Sequence, residues 1–137
     1  MGNDFRPYWC RVGDRINRDG PYGFGREVDL VELPVSWILD DFPHFEYIRV
    51  RPNYLAPGLS APSKVEEIWR DDFDFMEREV PNGVLTLTMH PQVIGRGHRM
   101  LMLERLIGYF RDHEGVHFAT MSDAADAFRA EESRPGP

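Results

Sequence analysis

Residues 84–110 read VLTLTMHPQVIGRGHRMLMLERLIGYF, and this stretch decides the fold. Val84 to Met89 alternates: Leu85, Leu87 and Met89 fall on one face, Val84, Thr86 and Thr88 on the other. Alternation of that kind predicts a strand. A polar loop, His90 to His98, follows. Behind it Met100, Leu103, Ile107 and Phe110 form one helical stripe, widened by Leu106. A strand feeding a helix through a polar turn is the unit of a parallel α/β fold.

Working outward, Gly115 ends that helix, and Val116 to Ala119 predicts a short strand. Ser122 is placed to cap a last helix through about Ala130. Upstream, Val65, Ile68, Trp69, Phe73, Met76 and Val80 recur at helical spacing, and Pro81-Asn82-Gly83 stops the run. Ser63-Lys64-Val65-Glu66 has the form of a capping box for this helix. Leu30 to Trp37 is a β-rich run that Pro34 should end, bulge or confine to an edge. Residues 1–29 carry Gly13, Gly20, Gly23 and Gly25 and show no period, which predicts a long irregular segment. The expected organisation is α/β, with one domain over 1–130 and a disordered tail over 131–137.

The chain has 137 residues, room for one domain. Apolar residues are 42% and charged residues 28%, a globular balance. Acidic residues number 23 against 16 Lys and Arg, a formal charge of −7. No basic surplus exists to track phosphates or an anionic membrane, so nucleic acid and membrane are excluded as expected partners. Cys10 stands alone and forms no internal disulfide. With no signal core and no long apolar run, the expected location is the cytoplasm.

Chemistry concentrates where loops leave strands. His90 stands at such a point, placed to move a proton near neutral pH or simply to pack at a strand end. Asp40 and Asp41 follow the first β-rich run, and either one beside His90 would raise its pKa; alternatively, the two acids form a solvated turn. Gly95-Arg96-Gly97-His98-Arg99 reads equally as an anion cradle or as a turn whose arginine clamps a carboxylate. Metal ligation has little support. Of His44, His90, His98, His113 and His117, the pair four apart is split by Gly115, and His113 reads as a cation near a helix end. No G-x-S-x-G elbow is present.

ELPVSWILDDFPHF, then LTMHPQVIGRGHRM, then VHFATMSDAADAF resembles, in order and spacing, the polysaccharide deacetylase family, which carries the NodB homology domain. The similar branch holds peptidoglycan-deacetylase-like and allantoinase-like proteins, and the resemblance covers residues 1–130. It implies the C-terminal portion of a distorted (β/α) barrel and hydrolysis of carbon–nitrogen bonds in amides or cyclic ureides, within carbohydrate metabolism. His90 matches the family's late histidine, a general acid, and Asp40 the aspartate that tunes it. Trp37, Asp41 and Arg96 are the implied substrate-binding residues.

The family's base aspartate and its H-x-x-x-H metal motif have no counterpart here. The expectation is therefore the C-terminal half of the domain, with Met1 an internal methionine promoted to a start. No metal site is expected in this chain, while the complete domain admits a divalent ion such as zinc. The implied substrate is a small-molecule or sugar amide. The implied assembly is a homo-oligomer or an association with the missing half. The alternatives are a non-catalytic remnant and a split protein that needs a partner chain.

Overall fold

The computed structural model describes residues 5–46, 48–56 and 58–132, the side chains of 48–50, 55 and 56 excepted. Strands β1 (Tyr8–Val12) and β2 (Arg26–Glu32) lead into a single 3-10 turn, Trp37–Leu39, and the short helix α1 (Asp41–Phe45). Strands β3 (Ile48–Arg51) and β4 (Tyr54–Ala56) follow, then helices α2 (Pro62–Glu79), α3 (Pro91–Ile94), α4 (Gly97–Arg111) and α5 (Met121–Glu131). The content is mixed α and β, as expected. Its ladders are not the expected parallel ones: β1 pairs antiparallel with β2, and β3 with β4.

The first surprise lies in residues 1–29, whose described part is a hairpin rather than an irregular segment. Tyr8 faces Glu32 and Val12 faces Arg26, with a register shift between Trp9 and Arg11. That shift breaks the alternation by which a strand is recognised. Asp14 fastens the connecting loop. Its carboxylate accepts the Gly25 N–H at 2.6 Å and the Tyr22 hydroxyl at 2.7 Å. Those bonds, the Gly25 one foremost, hold its pKa below the usual carboxylate value. Gly25 is required by space, because a Cβ there would overlap the Val12 carbonyl oxygen. β2 stops at Glu32, two residues short of Pro34, so the proline does end the strand.

Helix α2 matches its reading in length and face. Val65, Trp69, Phe73 and Met76 are buried, with Ile68 and Val80 packed beside them. The capping box does not form. Pro62 occupies the first turn, where its missing N–H costs nothing, so the helix starts before Ser63 and Ala61 caps it without a side-chain bond. Glu66, left outside the cap, instead accepts from Arg105 Nε at 3.1 Å and ties α2 to α4.

Helix α4 buries part of the expected stripe, Leu106 and Phe110, with Leu103 packed against the core, but the buried face is rotated away from Met100 and Ile107. Arg99, Met102, Leu106 and Phe110 point inward, while Met100, Leu101 and Ile107 are exposed. The helix is apolar nearly all round, so periodicity alone could not choose the face. Leu39, Phe45, Val93 and Ile94 complete the core between α2 and α4. Trp69 is fully buried, and its indole N–H donates to Ile38 O at 2.8 Å; His44 Nε2 meets the same oxygen at 2.7 Å.

Among the described residues, 84–89 form no ladder; they make one parallel bridge, Asp40 with Thr88, and Val84 N–H donates to Phe5 O at 2.7 Å. The strand expected at 116–119 does not form: among the described residues these make no strand pairing. Helix α5 is capped by Thr120, not Ser122: Thr120 and Asp123 make a reciprocal capping box. Of the expected disordered tail, residues 133–137 lie outside the described residues.

Candidate functional site

The bridge between Asp40 and Thr88 builds the site. Thr88 N–H donates to Leu39 O at 2.9 Å, and Asp41 N–H donates to Thr88 O at 3.0 Å. Two segments distant in sequence therefore run side by side, and the residues just beyond the bridge, Asp41 and His90, meet. Asp40 caps α1 by accepting the Phe42 N–H at 2.8 Å. That cap turns the chain so that Asp41, the first helical residue, points inward; it is wholly buried. His90 caps α3 through its backbone alone, ahead of Pro91, which leaves its ring free of the cap.

Asp41 grips His90 twice. Oδ1 lies 2.7 Å from His90 Nδ1, and Oδ2 accepts the His90 backbone N–H at 3.0 Å. A buried carboxylate accepts here, so Nδ1 carries the proton and Nε2 is the nitrogen left for another partner. The His90 side chain is 37% exposed, with the Phe42 ring edge-on at 5.5 Å. The bond to Asp41 raises the His90 pKa above its ordinary value. Burial opposes this, and the charges of Asp41 and Asp40 add to it. The arrangement favours the protonated imidazole, with one N–H presented outward.

Both acids expected near His90 are there, but in unequal roles. Asp40, the one matched to the tuning aspartate, has Oδ1 at 3.8 Å from Nδ1 and spends itself on the helix cap. Trp37 lies in the 3-10 turn just before Asp40, with 78% of its surface exposed. Arg96 is exposed at the start of α4 and offers that helix no side-chain cap.

The Gly-Arg stretch takes the second of its two readings. Gly95 follows α3, where a Cβ would overlap the Pro91 carbonyl oxygen. The clamping arginine is Arg99, whose Nη1 donates to Glu46 Oε1 at 3.1 Å. Sequence reasoning passed over Arg99 and Glu46 as individual residues. The available signal was an arginine at the head of an apolar helix.

Asp40, Asp41 and His90 offer ligand atoms within 4.8 Å of one another. They do not fit a metal. Asp41 Oδ1 is bonded to His90 Nδ1, Asp41 Oδ2 accepts the His90 backbone N–H, and Asp40 Oδ1 is committed to the cap. That leaves His90 Nε2 and Asp40 Oδ2, fewer than the three protein ligands of a catalytic zinc site.

The chain is similar to known proteins along nearly its whole length. It is 38% identical over 138 residues to a peptidoglycan deacetylase of Helicobacter pylori, covering 93% of this chain and 46% of that protein. It is 25% identical over 117 residues to the peptidoglycan deacetylase-like protein FGM2 of Gibberella zeae, covering 80% of this chain and 34% of that protein. Its fold matches the crystal structure of a "putative polysaccharide deacetylase" from Mycobacterium smegmatis with a TM-score of 0.66 at 32% identity, over 97% of this chain and 43% of the other. No family model matches. These likenesses place the chain in the polysaccharide deacetylase family, as a segment of the C-terminal part. The chain spans less than half the length of each of these relatives. Among the described residues, no helix is long and apolar enough to cross a membrane.

Proposed function

We propose that this chain carries the general-acid side of a hydrolase acting on sugar N-acetyl groups. The observation that carries the reading is the Asp41–His90 pair, with a buried carboxylate on Nδ1 and Nε2 directed away from it. In the reaction, water adds to the amide carbonyl and the carbon–nitrogen bond of the tetrahedral adduct then breaks. His90 delivers its Nε2 proton to the departing nitrogen, so that a free amine and acetate result. Asp41 keeps the ring in the proton-delivering tautomer and stabilises its cation. Asp40 adds negative charge and holds α1 in place. Trp37 and Arg96, both exposed, are proposed to contact the sugar. The base that activates water and any divalent ion are proposed to come from residues outside this chain, in a barrel that these elements help to close.

The relatives' names support a deacetylase; nothing in them supports the cyclic ureides that the family resemblance also implied. The test is acetate release from N-acetylated peptidoglycan fragments by the complete domain, with and without His90→Ala. Equal rates would overturn the reading and leave His90 a packed strand end.

A further inference from the structure

We infer that Arg99 is a positioning residue for the Asp41–His90 pair, an inference that rests on the reading of His90 as the acid. Asp41 opens α1, which ends at Phe45; His90 caps α3, which ends at Ile94. Each helix is little more than one turn and has few internal hydrogen bonds to hold its direction.

Arg99, 7% exposed, holds the far ends of both. Nη2 donates to Phe45 O at 3.2 Å, and Nη1 donates to Val93 O at 2.7 Å and to Glu46 Oε1 at 3.1 Å. The guanidinium carbon lies 4.6 Å from the Phe45 ring centroid. One rigid planar group thus fixes the spacing of two short helices whose opposite ends carry the two members of the pair. Lysine has neither the fork nor the plane to hold three acceptors at once. The cation neutralises Glu46, but its geometry reaches the site: if either helix swings, the 2.7 Å bond between Asp41 and His90 is what lengthens.

A positioning role and a direct charge effect predict opposite signs. Removing a nearby cation makes it easier to protonate His90 and raises its pKa. Loosening the bond to Asp41 lowers it. The experiment is an NMR titration of the His90 imidazole in the full chain, for wild type, Arg99→Met and Arg99→Lys, each repeated in an Asp41→Asn background.

The expected result is a drop toward the ordinary histidine value in Arg99→Met, a smaller drop in Arg99→Lys, and no further drop once Asp41 is Asn. Should Arg99→Met fail to fold, Arg99→Lys, which keeps the charge and the aliphatic stem, reads the same shift. An unchanged or raised His90 pKa in a folded Arg99 variant would overturn the inference, as would an equal drop without the Asp41 carboxylate. The outcome is separable from that of the proposed reaction. If His90→Ala keeps full activity in the complete domain, the reading of the acid fails even where the titration shows Arg99 holding the pair.

Discussion

Asp41 binds His90 through the ring and through the backbone at once, Oδ1 on Nδ1 and Oδ2 on the peptide N–H. A carboxylate anchored at two points cannot follow the imidazole if it rotates, so the ring is held in one orientation. Because the bond favours the charged ring, His90 in the folded chain should titrate above its ordinary value. The linkage follows: a folded pKa above the unfolded one contributes stability that is full below the unfolded pKa and lost as pH rises through the folded one. NMR titration should show the raised value in wild type, a clear fall in Asp41→Asn and a lesser fall in Asp40→Asn. Equal effects from the two aspartates would contradict the geometry.

If the proposed reaction is right, His90→Ala in the complete domain should lower kcat by about 10²–10⁴-fold, the usual contribution of a general acid, with KM little changed. The basic limb of the pH–rate profile should shift down in Asp41→Asn, since a ring that loses its proton sooner is a weaker acid supply. His98 is exposed, and His98→Ala should leave the profile in place.

Trp69 is both a core residue and a donor to Ile38 O, within the 3-10 turn that leads into Asp40. Trp69→Phe should cost about 1–3 kcal/mol, from the lost hydrogen bond and the small void. His44 still reaches the same oxygen, which limits the loss. The check is the denaturant midpoint, which should fall at unchanged slope.

Gly25→Ala should disrupt the β1–β2 hairpin, because the added methyl meets the Val12 backbone rather than a movable side chain. Amide exchange should rise across 8–32 while α2 and α4 keep their protection. Gly97→Ala, where a Cβ has open space, is the matched control and should be near neutral.

Val35, Trp37, Leu59, Leu101 and Phe118 are each about 60% exposed or more. That much apolar surface favours association. Light scattering of this chain should show growth with concentration, and a monodisperse monomer would refute it. Trp37 supplies part of this surface, whereas Phe45 and Trp69 are core and Phe42 is partly buried.

Sequence patterning told most where an element has one apolar face. α2 is polar on one side and apolar on the other, so its buried residues could be named. α4 is apolar around most of its circumference, and its inward face includes Arg99, which bonds to two segments from elsewhere in the chain, 45–46 and Val93. The hairpin escaped notice because its register shift erases the two-residue period. His90 and both aspartates were found as candidates, since strand ends and adjacent acids are local features. Which aspartate reaches the ring depends on the pairing of residue 40 with residue 88, a non-local fact.

That same pairing bears on how the molecule assembles. The bridge joins Asp40 to Thr88, and the acid pair beyond it spans 49 residues of sequence. α2 lies wholly within that loop and can form from local contacts, whereas the pair must wait until the loop closes and its entropy is offset by the α2–α4 core. A bond made that late would have little part in the transition state, so the expected outcome is that Asp41→Asn speeds unfolding far more than it slows refolding, read from the two arms of the denaturant dependence of the rates.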